Sequence, residues 1–232
     1  MKTILRLSIW MTALLVVNAT VANAQNTFFP TKPGTVLVYA QKNAKGNIDG
    51  YTRMTIKNVE GSGNNMTISY VAESLNKNMK PVSNPPMEIP LKVTIKDGVM
   101  ILDMKEMFAG QMKDQQIKME ITGVPMELPA SLQPGQSLKD AEVTMSIDLV
   151  ITKMTTTVKI TDVKCLAIED VTVPAGTFTC HKVTQTSSTT VMKKTVTGRT
   201  VTWYAPGIGT VKNETYDGKD KLTGSMELVE VK

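Results

Sequence analysis

The chain has 232 residues, with 26 Lys and Arg against 21 Asp and Glu, a formal charge of +5, one histidine and two cysteines. The charge is spread thinly. Its densest cluster, Met192-Lys193-Lys194 with Arg199, lacks the interleaved aromatic side chains on which single-stranded nucleic acid stacks, so nucleic acid is not expected as a partner.

At the N-terminus, Lys2 and Arg6 flank the start of an apolar run over residues 7–17, and the small-residue pattern Ala22-Asn23-Ala24 follows. This is the pattern of a secretory signal peptide, and it predicts cleavage after Ala24. The run falls short of the roughly 20 apolar residues that span a bilayer, and no transmembrane candidate follows it. No cysteine stands at the new N-terminus to carry a bacterial lipid anchor, and Glu230-Val231-Lys232 is not a hydrophobic tail. The expected product is an exported protein of the periplasm or extracellular space, not lipid-anchored. It would have a single β-rich domain over residues 25–232, with a division into two sub-sheets near 125–139.

The dominant period in the mature chain is two. Thr35-Val36-Leu37-Val38-Tyr39, Arg53-Met54-Thr55-Ile56-Lys57 and Met66-Thr67-Ile68-Ser69-Tyr70 are short β-branched or alternating runs, which predicts hairpin strands. Asp97-Gly98 stands between two further runs, Leu91 to Lys96 and Val99 to Leu102, where a two-residue turn needs positive φ. In Met104-Lys105-Glu106-Met107-Phe108-Ala109-Gly110-Gln111-Met112 the period changes. Apolar residues at helical spacing predict one short amphipathic helix over residues 105–115, which Gly110 weakens. A strand over 117–122 follows. Pro125, Pro129, Pro134 and Gly135 then mark residues 125–139 as a long connection. Alternation resumes over 143–149 and 155–163 and continues to the end.

Cys165 and Cys180 flank a strand-turn-strand pattern centred on Val173-Pro174-Ala175-Gly176-Thr177, in which Pro174 fixes φ and Gly176 can take positive φ. In an exported chain this predicts a Cys165–Cys180 disulfide closing a hairpin, a contribution of about 3 kcal/mol if the geometry is unstrained. Pro206, Gly207 and Gly209 mark another reversal after Trp203-Tyr204. A phosphate cradle would require a following helix, whereas Thr210-Val211-Lys212-Asn213-Glu214-Thr215 reads as strand.

Three elements recur in this order in a family of exported proteins: Leu132-Gln133-Pro134-Gly135-Gln136-Ser137-Leu138-Lys139-Asp140, Val173-Pro174-Ala175-Gly176-Thr177-Phe178, and Trp203-Tyr204-Ala205-Pro206-Gly207-Ile208-Gly209-Thr210-Val211-Lys212. On these motifs the chain resembles the TapB-like proteins of Bacteroides-type Gram-negative bacteria, a family related to a domain of unknown function. The resemblance covers most of the mature chain. It implies a mainly β fold, an antiparallel sheet curved into a half-barrel, similar to lipoprotein-carrier and envelope β-proteins. It implies no established activity and supplies no catalytic residue.

The inventory for catalysis is thin. His181 is the lone histidine, and its neighbour Cys180 is expected in the disulfide, which removes a Cys-His nucleophile pair and leaves too few ligands for zinc. Glu169 with Asp170, and Asp217 with Asp220, read as solvated acids. No enzyme activity, cofactor or metal is expected. Methionine is the anomaly, with 16 in the chain against 4 phenylalanines. Met100, Met104, Met107, Phe108, Met112, Met119 and Met126 cluster around the predicted helix. Core packing explains them most simply, copper(I) ligation by soft sulfur is a further reading, and an adaptable apolar groove formed by Met100, Met104, Met107, Phe108, Met112 and Met119 is the functional one. The expected function is therefore non-catalytic binding of an apolar ligand or an envelope protein on a curved sheet. The alternative is an interaction module that pairs through an exposed edge strand.

Overall fold

Where apolar and polar residues alternate, the chain is strand. The computed structural model describes residues 27–84, 86–102, 118–149 and 152–232. The signal peptide and the helix predicted over 105–115 lie outside these residues, and among the described residues there is no helix. Six strands precede Pro125: β1 (Val36–Asn43), β2 (Ile48–Ser62), β3 (Asn65–Leu75), β4 (Glu88–Lys96), β5 (Val99–Leu102) and β6 (Lys118–Val124). Seven follow: β7 (Met126–Pro129), β8 (Ala141–Leu149), β9 (Thr152–Val173), β10 (Gly176–Val191), β11 (Lys194–Ala205), β12 (Gly209–Asp217) and β13 (Leu222–Val231). Residues 125–139, read as a connection, thus contain a strand, and Leu128 and Leu132 within them are fully buried.

All the strands form one antiparallel sheet in the order β6-β8-β9-β10-β11-β12-β13-β1-β2-β3-β4-β5-β7. The two end strands, β6 and β7, are consecutive in the chain and separated only by Pro125. Proline has no N–H to donate and suits a place where pairing stops. The chain therefore turns a corner at Pro125 from one end of the sheet to the other, and the sheet curls into a nearly closed barrel rather than the half-barrel expected.

The sheet packs two cores. One gathers Ile56 of β2, Ile68 of β3, Val93 and Ile95 of β4, Leu128 of β7, and Val163 and Val183 of β9 and β10. The other gathers Leu37 of β1, Val201 and Trp203 of β11, Val211 of β12 and Leu228 of β13 under the tip of the β9–β10 hairpin. There the Ala175 N–H donates to the Leu228 carbonyl at 3.3 Å. Each fully buried aliphatic side chain contributes about 1.5 to 3 kcal/mol. A single long hairpin serves both cores because its register shifts between Lys182 and Val183 and again between Thr184 and Thr186. Such bulges bend a strand and increase its twist.

The position of the hairpin turn overturns the predicted disulfide. The turn pairs Val173 with Gly176, so Cys180 lies opposite Glu169 while Cys165 lies opposite Val183. Three residues of offset amount to about 10 Å along the strand at roughly 3.3 Å each, beyond the ~7 Å that a bridge tolerates between Cα atoms. Both thiols are free and buried, Cys165 in one core and Cys180 in the other.

The turns follow their sequence. Asp97 and Gly98 take φ of 52° and 77°, with Lys96 paired to Val99. Both central residues are positive, as the tightest hairpin turn demands. The basic cluster at Met192-Lys193 is another such tip, with φ of 45° and 73° and Val191 paired to Lys194.

Candidate functional site

Residues 27–30 pack as a strap against one side of the curled sheet. Thr27, Phe28, Phe29 and Pro30 are all buried. The Gly207 N–H donates to the Thr27 carbonyl at 2.7 Å, and Thr27 Oγ1 donates to the Phe29 carbonyl at 3.0 Å. At Gly209, with φ of 95°, an added Cβ would stand 3.1 Å from the Phe28 carbonyl oxygen, so the β11–β12 turn needs glycine there to admit this strap. Phe28 packs edge-on against His181, with centroids 4.9 Å apart, and 5.9 Å from Tyr204, while Phe29 packs 5.2 Å from Tyr70.

Beside the strap, where the two cores meet, lies a pocket of about 240 Å³. Its walls include Phe28, Phe29, Met54, Met100, Leu102 and Met226, and no charged side chain lines it. Five hydroxyl-bearing side chains line it, Tyr39, Thr52, Tyr70, Tyr204 and Thr210. Tyr39 and Tyr70 both line the pocket, and neither hydroxyl has a hydrogen-bond partner among the described residues. Burial pushes the Tyr70 phenol up to about 12, and burial together with the neighbouring Tyr70 raises Tyr39 further. Both are neutral hydrogen-bond donors at any physiological pH.

Of the six residues assigned to an apolar groove, Met100 lines this pocket and is buried. Met119 sits on β6 opposite Ile147. Met104, Met107, Phe108 and Met112 lie outside the described residues. Met126 is a core residue. In the sequence Tyr39 and Tyr70 stand as the ends of alternating runs, and Phe28-Phe29 lies outside any such run. Two of the chain's 4 phenylalanines placed side by side were the available signal.

The other candidates are occupied by structural work. Cys180 and His181 are consecutive on a strand and so point to opposite faces, Cys180 into one core and His181 onto Phe28 in the other. Burial holds Cys180 up to about 11 and lowers His181 from its ordinary value, against a hydrogen bond to the Leu132 backbone that raises it. The His181 Nδ1 is buried without a partner. Glu169 accepts from Trp203 Nε1 at 2.7 Å and pairs with Lys182 at 3.3 Å, contacts that hold its carboxyl below the usual range. Lys182 and Lys212 flank the Trp203 ring at 5.1 and 5.0 Å, and Lys212 pairs with Glu214 at 2.8 Å. These charges neutralise one another. Asp170 accepts from Thr179, Asp217 caps the β12–β13 turn through the Lys219 and Lys221 N–H groups, and Asp220 pairs with Arg199 at 2.7 Å. Among the described residues no three His, Cys, Asp or Glu side chains stand where they could hold one metal ion.

Comparison with known proteins places this architecture. The DUF3108-like family matches residues 32–228. A lipoprotein of Parabacteroides distasonis superposes with a TM-score of 0.69 at 27% identity, over 89% of this chain and 98% of its own. A Bacteroides fragilis protein described as exported, with a YmcC-like fold, superposes with a TM-score of 0.68 at 20% identity, over 89% of this chain and 99% of its own. No curated protein matches the sequence. The kinship to a domain of unknown function and to Bacteroides-type exported proteins stands, whereas the TapB-like name finds no support in these matches.

Proposed function

The chain belongs to the DUF3108-like family, and from that premise we propose that it is an exported, non-catalytic envelope protein that holds a small apolar molecule inside its curled sheet. Export is supported by the predicted signal peptide and by structural neighbours described as an exported protein and a lipoprotein. The observation that carries the binding role is the pocket of about 240 Å³, walled by methionine and aromatic side chains and free of charge. Apolar cavities of about 150 Å³ take up benzene-sized molecules, and ligand pockets range from about 300 Å³ upward, so this one suits a small guest. Methionine walls adapt to guests of varied shape. Propylbenzene should raise the midpoint of thermal unfolding in a concentration-dependent way, as any ligand of the folded state does. Ala72→Phe, which grows a side chain into the pocket, should abolish that rise while the protein stays folded. A wild type indifferent to propylbenzene at saturation would refute the reading and favour association through the β6 or β7 end of the sheet.

A further inference from the structure

Two buried tyrosines stand where phenylalanine would satisfy every apolar contact. Tyr39 of β1 is 6% and Tyr70 of β3 7% exposed; β2 runs between their strands, both side chains line the pocket, and neither hydroxyl has a hydrogen-bond partner among the described residues. Neither oxygen is sealed off in the way that the unpaired His181 Nδ1 is, so each keeps accessible surface through which water or a guest can supply the missing hydrogen bond. Two unpaired phenols in the wall of a pocket that is otherwise mostly apolar, with Thr52, Tyr204 and Thr210 as its remaining polar side chains, suit recognition of a polar group on a guest. We propose that Tyr39 and Tyr70 are the polar anchor of the pocket, donating hydrogen bonds to an uncharged acceptor, a ketone, ester or amide carbonyl, on a guest whose remainder is apolar. This rests on the reading of the pocket as a ligand site.

The chemistry of the walls narrows the guest in three ways. Each neutral phenol offers one O–H donor and a weaker acceptor oxygen, so an acceptor on the guest is the better match. No Lys, Arg or His lines the pocket, so a carboxylate or phosphate would be buried without a counter-charge, a heavy cost. The volume corresponds to about eight waters at roughly 30 Å³ each, room for a molecule of about ten non-hydrogen atoms. A long-chain fatty acid fails on both charge and size, and a compact neutral carbonyl compound satisfies all three.

The test compares two probes that differ by one carbonyl, propylbenzene and propiophenone, by NMR titration of the mature protein and of Tyr39→Phe and Tyr70→Phe. Phenylalanine keeps the wall and removes only the donor. Each variant should weaken propiophenone about tenfold, the loss of one ligand hydrogen bond, and leave propylbenzene within about twofold. The anion 3-phenylpropionate should bind far more weakly than propiophenone at neutral pH. If either variant changes both probes equally, or neither, the hydroxyls serve only trapped water or packing, and the anchor is refuted while the apolar pocket stands. Tight binding of 3-phenylpropionate would overturn the preference for neutral guests. A wild type that binds none of the three would overturn both the anchor and the function proposed above.

Discussion

Replacing Phe28 with alanine tests whether the strap of residues 27–30 is part of the barrel or merely passes by it. Phe28 is 1% exposed and meets His181 edge-on at 4.9 Å and Tyr204 at 5.9 Å. Buried Phe→Ala changes cost about 3 to 5 kcal/mol, the sum of lost transfer energy and the cavity left behind. The ring pairs lie within the upper part of that range, since each is worth about 0.5 to 1.5 kcal/mol beyond its area. Against a typical total of about 5 to 15 kcal/mol the loss is large. For a domain near 200 residues it should lower the thermal midpoint by roughly 6 to 20 °C. Phe28→Leu, which keeps most of the volume, should cost only about 1 to 2 kcal/mol. Urea titration of both variants, followed by tryptophan fluorescence, gives the numbers directly. A loss below about 1 kcal/mol in Phe28→Ala would mean that the strap is peripheral, and the closed side of the pocket would have to be abandoned.

Three further outcomes follow from individual residues. Burial lowers the His181 pKa in the folded state, so the unfolded chain binds the proton more readily; stability should be level above the ordinary histidine value of about 6.5 and fall as pH drops through it. His181→Phe should flatten that slope in urea titrations at several pH values, and an unchanged slope would remove His181 as its cause. At the β10–β11 tip, Met192→Asn with Lys193→Gly should raise stability by about 1 kcal/mol, because both positions already hold the positive φ those residues favour. No gain in the urea midpoint would show that the tip does not hold that conformation. Exported protein denatured without reductant should yield two free thiols, both unreactive before unfolding because they are buried and Cys180 is held up near 11. Detection of none would restore the bridge that the register excludes.

Much of the fold was legible because a half-buried strand writes its burial into a two-residue period. Met66, Ile68 and Tyr70 alternate with Thr67 and Ser69 and are buried accordingly. Asp97-Gly98 announced its turn because few residue pairs tolerate two positive φ values. The disulfide was misread although the turn that excludes it was recognised. Cys165 stands eight residues before Val173 and Cys180 four after Gly176, so a turn at Pro174-Ala175 could not bring them level. The barrel closure was hidden for a different reason. It depends on which strands become the two ends of the sheet, a long-range matter, and Pro125 between two short runs resembles any loop proline. The pocket was least legible, since its walls come from the strap, β1, β2, β3, β5, β11, β12 and β13, and no local stretch carries its pattern. Methionine density pointed toward it only through Met100.

The central claim is that the curled sheet holds a small, neutral, apolar guest at the junction of its two cores. Native mass spectrometry of the protein released from the cell envelope without detergent tests it most directly, with the Ala72→Phe variant prepared in the same way. The account predicts a fraction of wild-type protein heavier than the cleaved chain by one small uncharged organic molecule, released on mild activation and missing from the variant. Wild type and variant that both carry only the mass of the bare chain, or both carry the same adduct, would contradict it.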